Sequence, residues 1–212
     1  MIKAIIFDLD GVLLDSVERD MAITIRVFNE FGYSITRSDE EHIIGWHPAD
    51  RISFFAKKFN IPEQEQRLIV EHEKRLYREL WDSTSKLLPG VKQTLDILKD
   101  KGHILAIATT STRDSVSKFI RKFRLHGYFT LILAREDVCS RKPDPDIYIK
   151  ARDKLGYSTE EIIVVEDTEI GVSAAKSAGL TCVAVPNKYT KSQDFSLADY
   201  VINSIAELTR IE

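Results

Sequence analysis

Along the chain, short and nearly unbroken apolar runs alternate with longer stretches whose apolar positions recur at helical spacing. The runs are IKAIIF before Asp8, HILAIA before Thr109, FTLILA before Arg135, EIIVV before Glu166 and TCVAV before Pro186. Each is β-branched, short, and closed by a polar or turn residue. Runs of that kind read as strands buried on both faces, which is the condition of a parallel sheet covered by crossover helices. The stretches between them supply the helices. PGVKQTLDILKDKG has Pro89 near its start and Gly102 just past its end, the asymmetry that opens and closes a helix. PDPDIYIKARDKLG runs to Gly156, and TEIGVSAAKSAG starts beside Asp167 and stops at Gly179. The pattern predicts an α/β fold with a doubly wound, Rossmann-like parallel sheet.

Residues 15–86 break that rhythm with helical periodicity and no convincing strand. Met21, Ile25 and Phe28 share one stripe, and Leu68, His72, Leu76 and Leu80 share another. This interval reads as an inserted all-α domain, with the core formed by residues 1–14 and 87–212. No repeat, low-complexity tract or Gly/Ser linker interrupts the chain, so the insertion is expected to connect through short hinges.

Composition narrows the function classes. The 212 residues are 43% hydrophobic and 30% charged, with a net charge of −3 and no block of Lys or Arg. That balance disfavours nucleic acid and anionic membranes as partners. Two cysteines, Cys139 and Cys182, are too few for a disulfide framework and suit a reducing compartment. MIKAIIFDLD lacks the length and cleavage site of a secretory signal, and no stretch is long and apolar enough to span a bilayer. The cytoplasm is the expected location; oligomeric state is unreadable from the sequence.

The chemistry begins at FDLDGVLLDS. Asp8 and Asp10 stand at i and i+2 of an extended segment and project to the same side. Two charges so close require a cation, a proton on one of them, or both. In an open parallel sheet, ligands bind beyond the carboxyl ends of the strands. The polar residues closing the runs are therefore expected to meet: Asp8 and Asp10, Thr109, Lys142 in SRKPDPD, and Glu166 with Asp167. Hard oxygen ligands of this kind suit Mg²⁺, which keeps waters alongside carboxylates and a substrate phosphate. Lys142 and the Thr109 hydroxyl, with Thr110 beside it, would hold the other phosphate oxygens. Four carboxylates, one Mg²⁺ and one ammonium leave a net charge of −1, so admitting a phosphate dianion requires a proton on one carboxylate. A protonated Asp10 can donate to the leaving alkoxide while ionised Asp8 attacks phosphorus; the deprotonated Asp10 can then activate water.

Each element also has an ordinary explanation. DLD alone reads equally as a strand-end Asx turn, and a calcium loop is disfavoured because Gly11 falls too early and Val12, Leu13 and Leu14 occupy ligand-spaced positions. One of Thr110, Ser111 or Thr112 is expected to cap the next helix, and Asp167 and Thr168 are natural caps for theirs. A lone loop lysine such as Lys142 is ordinarily solvated, and Arg141 stands beside it. Only the four together overturn those explanations.

At this point the sequence resembles the haloacid dehalogenase superfamily, in the phosphoglycolate phosphatase and β-phosphoglucomutase branch that carries a small helical cap after its first motif. The resemblance rests on DLDGVLLDS, AIATTS, RKPDP and VVEDTEIGVSAAKSAG, in that order, and covers essentially the whole chain. It implies that Asp8 is the nucleophile and Asp10 the acid/base, and that Thr109 and Lys142 bind the phosphoryl group. It further implies that Asp167 with Glu166 helps Asp8 and the Asp10 carbonyl hold Mg²⁺. Dehalogenating members lack the second aspartate, so Asp10 favours phosphoryl transfer from a small phosphorylated metabolite.

In the cap, Trp46, His47 and Arg51 of GWHPADRI fall where similar loops reach the substrate, and Lys74 and Arg75 are further candidates. Arg51 with Lys74 or Arg75 is expected to supply positive charge for an anionic substrate. Two rivals remain beside the phosphatase. A β-phosphoglucomutase-like enzyme is disfavoured, because Asp20 stands where such mutases place a cap His and Pro48 where they place a phosphate-binding Arg. A non-catalytic phosphoacceptor or binding module is disfavoured by the helical insertion and by Asp10, which promotes turnover of an acyl phosphate.

Overall fold

The computed structural model describes residues 1–211 other than Ile44, Gly45 and His47; of Glu41 and Pro48 it describes the backbone alone. The chain divides into two compact units, Ser16–Lys86 and the remainder, Met1–Asp15 with Leu87–Glu212.

The smaller unit is helical: α1 Val17–Glu30, α2 Arg37–Ile43, α3 Pro48–Phe59 and α4 Glu63–Thr84. Its core gathers Val27 and Phe28 from α1, Phe55 from α3 and Ile69 and Leu76 from α4. The buried row of α4 differs from the expected one. Leu68 is half exposed, and burial falls on Ile69, Glu73 and Leu76. Glu73 is polar, so periodicity counts against the row that contains it; inside the fold its Oε1 accepts a 2.7 Å bond from the Thr24 hydroxyl, which offsets part of the cost of burying it. Asp39 and Thr36 form a reciprocal cap at the start of α2, with the Thr36 N–H donating to Asp39 Oδ2 at 2.9 Å and the Asp39 N–H to Thr36 Oγ1 at 3.3 Å.

The larger unit holds strands β1 Ala4–Phe7, β4 Ile104–Ala108, β5 Leu131–Leu133, β6 Ile162–Glu166, β7 Thr181–Ala184 and β8 Tyr200–Val201; β2 Leu14–Asp15 and β3 Lys86–Leu87, where the chain crosses between the units, form a separate two-stranded sheet. The six strands form one parallel sheet in the order β5-β4-β1-β6-β7-β8. Helices α5 Val91–Asp100, α6 Arg113–Lys122, α7 Asp146–Leu155 and α8 Glu169–Ser177 connect them. One face of the sheet presents Ile6, Ala106 and Val164, packed under Ile147, Tyr148 and Ala151 of α7 and Val172 and Ala175 of α8. The alternate residues Ile5, Phe7, Leu105 and Ile107 are buried as well, so both sides are covered, as near-continuous apolar strands require. The fold is therefore a doubly wound α/β core with an inserted all-α unit. The edge strand β8 carries no comparable apolar run; both its residues are exposed, which is why the pattern did not announce it.

No helix among the described residues is long and apolar enough to cross a membrane.

Candidate active site

Strand β1 lies between β4 and β6, with Phe7 level with Ile107 on one side and Val165 on the other. The strands that follow β1 in the sheet, β4 and β5, run outward on one side and β6 to β8 on the other, so the order reverses at β1, the switch point at which open α/β sheets leave a crevice. Asp8 follows β1, Thr109 follows β4, and Glu166 ends β6 with Asp167 next to it. These residues converge because parallel strands place their carboxyl ends together.

Asp8, Glu166 and Asp167 are all buried, and one carboxylate oxygen of each lies within 4.8 Å of the others. Lys142 reaches in from the loop before α7. Its Nζ donates to Asp8 Oδ1 at 2.5 Å, to Glu166 Oε1 at 2.6 Å and to the Ala108 carbonyl at 3.1 Å. The Tyr148 hydroxyl also donates to Glu166 Oε1, at 2.5 Å, and the Lys142 ammonium stands 4.8 Å from the centre of its ring. Asp167 accepts at Oδ2 from the Asn187 amide at 2.8 Å. Gly11 makes room for that carboxylate: its φ is +82°, and a β-carbon there would lie 2.0 Å from Asp167 Oδ2. Asp10 accepts at Oδ2 from the Ser111 hydroxyl at 2.5 Å.

Electrostatics decide what else belongs here. Burial, with the neighbouring Glu166 and Asp10 charges added, pushes Asp8 up to about 7 despite the opposing pull of Lys142. Burial likewise carries Asp167 well above the carboxylate range, with Glu166 and Asp8 adding to it. One ammonium is too little positive charge for three buried carboxylates. Among the described residues, Asp8 Oδ2 and Asp167 Oδ1 accept from no donor, so the cluster offers two oxygens to a cation. A hard divalent ion suits that donor set in charge and ligand type, and would draw Asp8 and Asp167 back toward their ionised forms.

Of the other residues expected at the site, Thr109 is buried, with its hydroxyl accepting the Ser111 N–H at 3.0 Å, and Thr110 is partly exposed in the same loop. Ser111 was expected only as a candidate helix cap, and Tyr148 and Asn187 carried no expectation. Ser111 and Asn187 both follow strand ends, a position that the rule for open sheets flags; Tyr148 sits within α7 and carries no local signal. Thr112 and Thr168 prove to be the two helix caps, accepting the N–H groups of Ser115 and Gly171.

The expected cap residues lie within the helical unit. Trp46 packs against His42 and Phe54, with ring centroids 5.1 and 5.7 Å away. Arg51 is buried, and its Nη2 donates to the Tyr77 hydroxyl at 3.3 Å. Burial opposes its charge, and Tyr77, Glu73 and Asp20 outweigh that. Lys74 and Arg75 are exposed; Arg75 contacts His72 Nδ1 at 2.6 Å. His47 lies outside the described residues.

The model of the haloacid dehalogenase-like hydrolases matches residues 5–185. The chain belongs to that family. A Bacillus subtilis protein provisionally named phosphatase YhcW is 34% identical over 98% of this chain and 94% of its own length. The phosphorylated carbohydrates phosphatase of Thermotoga maritima is 31% identical over 84% of this chain and 82% of its own. Among solved structures, CbbY of Rhodobacter sphaeroides in complex with phosphate superposes with a TM-score of 0.84 at 29% identity, covering 98% of this chain and 96% of that one. A point mutant of that protein has been solved in complex with xylulose-(1,5)bisphosphate.

Proposed function

We propose that this protein is a Mg²⁺-dependent phosphatase that hydrolyses a small phosphomonoester through an aspartyl phosphate on Asp8. The observation that carries the reading is the pairing of Asp8, held by Lys142 at one oxygen and with no donor on the other among the described residues, with Asp10 two residues on and oriented by Ser111. Relatives named as phosphatases, and the phosphate bound by the similar CbbY structure, support it.

Asp8, Asp167 and the main-chain carbonyl of Asp10 would hold the ion, with Glu166 closing the cluster. Bound there, Mg²⁺ supplies the positive charge that keeps Asp8 ionised and offsets the charge of the phosphate oxygens. The rest is the work of the chain. Lys142 and the Thr109 hydroxyl bind the transferring phosphoryl oxygens and orient phosphorus for attack. An Asp8 oxygen attacks phosphorus as the ester P–O bond breaks, and Asp10 gives its proton to the departing alkoxide. Asp10, now a carboxylate, takes a proton from water as the water oxygen attacks phosphorus. The P–O bond to Asp8 then breaks, which frees phosphate and restores both aspartates.

Asp20 is bonded to Arg19 at 2.8 Å, at the position where the resembling mutases carry a cap histidine, and this favours hydrolysis over a mutase reaction. The inserted helical unit is the cap on this reading, and substrate selection resides there. Both cysteines are free thiols, Cys139 exposed and Cys182 buried, which fits a reducing compartment, and we place the enzyme in the cytoplasm.

The test is p-nitrophenyl phosphate turnover with Mg²⁺, with EDTA, and in Asp8→Asn. Activity is expected only in the first case. Turnover that survives chelation or loss of the Asp8 carboxylate overturns the mechanism. A panel of phosphorylated metabolites compared by kcat/KM then identifies the substrate.

A further inference from the structure

We propose that Tyr148, which lies outside the four motifs, is a positioning residue that frees Lys142 to hold the phosphoryl group. The inference rests on the phosphatase reading for its ligand and on the geometry around Glu166 for everything else.

Lys142 has three N–H groups, and all three are committed, to Asp8, Glu166 and the Ala108 carbonyl. To hold a phosphoryl oxygen it must release one of them. Released from a buried carboxylate, the ammonium would ordinarily leave an acceptor without a donor, and that cost would be charged against substrate binding. Glu166 is arranged so that this does not happen. Its Oε1 accepts from Tyr148 as well as from Lys142, at 2.5 and 2.6 Å. Its Oε2 accepts the Asp167 N–H at 3.2 Å and the Thr168 hydroxyl at 3.4 Å. When Lys142 turns an N–H toward the phosphoryl oxygen, the Tyr148 hydroxyl stays on Oε1 and that oxygen is never bare.

The ring of Tyr148 contributes separately. It is fully buried under the sheet and lies 4.8 Å from the ammonium, so the charge keeps an aromatic partner on either side of the exchange. A phenylalanine at this position would retain the packing and the ring and lose only the donor. The hydroxyl is thus the element that acts through Lys142, and it is separable from the structural role of the side chain.

The experiment is a double-mutant cycle with Tyr148→Phe and Lys142→Met, read by calorimetric titration of inorganic phosphate in Mg²⁺ and by kcat and KM for p-nitrophenyl phosphate. Tyr148→Phe is expected to weaken phosphate binding about tenfold and to raise KM in proportion. In the Lys142→Met background the same substitution is expected to change nothing further, because the group through which it acts is gone. A purely structural role predicts additive losses instead. Additive losses, or a Tyr148→Phe enzyme within about twofold of wild type in both readouts, overturn the proposal. A wild type that binds phosphate yet hydrolyses no ester counts against the phosphatase reading alone, and the binding cycle still decides Tyr148.

Discussion

The carboxylate of Glu166 rests on the backbone of Gly171: a β-carbon built at Gly171 would lie 2.1 Å from Glu166 Oε2. The first turn of α8 therefore approaches the end of β6 more closely than any side chain would permit. Gly171→Ala is expected to push Glu166 aside and carry Lys142 with it. Turnover of p-nitrophenyl phosphate should fall about 10–100-fold while the far-ultraviolet circular dichroism stays that of the wild type. Full activity in this variant would mean that Glu166 does not position Lys142.

Asp10 is asked to protonate the leaving group and then to deprotonate water, and Ser111 holds its Oδ2 at 2.5 Å. Asp10→Asn is expected to cost about 10²–10⁴-fold in kcat. The loss should be greater for an alkyl phosphate, whose leaving alkoxide needs the proton, than for p-nitrophenyl phosphate. Equal losses with both substrates would confine Asp10 to the hydrolytic step.

Asp8 Oδ2 and Asp167 Oδ1 lack donors among the described residues, so a bound divalent ion should stabilise the native state by mass action. At Mg²⁺ a hundredfold above its dissociation constant, Tm is expected to rise by about 5–10 °C over the chelated protein. Asp167→Asn should abolish most of that increment. A Tm indifferent to Mg²⁺ at saturating concentration would argue against an ion at this cluster.

Arg51 is buried against Tyr77, with Glu73 and Asp20 adding to the charges that hold it. Its removal would take the Arg51 partner from the Tyr77 hydroxyl and a compensating charge from Glu73 and Asp20. Arg51→Ala is expected to lower the unfolding free energy by roughly 2–4 kcal/mol. Lys74→Ala and Arg75→Ala, on the exposed side of α4, should each stay within about 0.5 kcal/mol of wild type. Denaturant melts distinguish the two classes.

Burial alone would raise Asp39, but the Lys58 ammonium and the Thr36 hydroxyl and N–H outweigh it and hold the carboxyl at about 2, below its ordinary 3.8. A depressed folded value means that the unfolded chain binds the proton more readily. The contribution is therefore complete above about pH 5 and is lost as pH falls toward about 2. Asp39→Asn should cost about 1 kcal/mol at neutral pH, and the gap from wild type should close through that window. A gap that is independent of pH would remove Asp39 from the acid response.

Much of this protein is written locally. The five apolar runs became five parallel strands, and the helices predicted between Pro89 and Gly102, up to Gly156 and up to Gly179 became α5, α7 and α8. Strand and helix periods depend on near neighbours, and the polar residue closing each strand is read directly from its place in the run. The row of α4 through Glu73 was not legible, because its burial depends on Thr24, a hydroxyl on another helix. β8 was hidden for the reverse reason: an exposed two-residue edge strand has no periodicity to show.

By itself, then, the sequence determined the parallel sheet, the helical insertion and the order in which Asp8, Asp10, Thr109, Lys142, Glu166 and Asp167 arrive at the sheet's edge. Only the tertiary structure decided which donors fill which oxygens: Tyr148 on Glu166, Asn187 on Asp167 and Ser111 on Asp10. The physical reason is separation along the chain. The Lys142 contact with Asp8 closes across 134 positions, and a hydrogen bond of that kind is set by the packing of whole strands and helices, which no local pattern encodes.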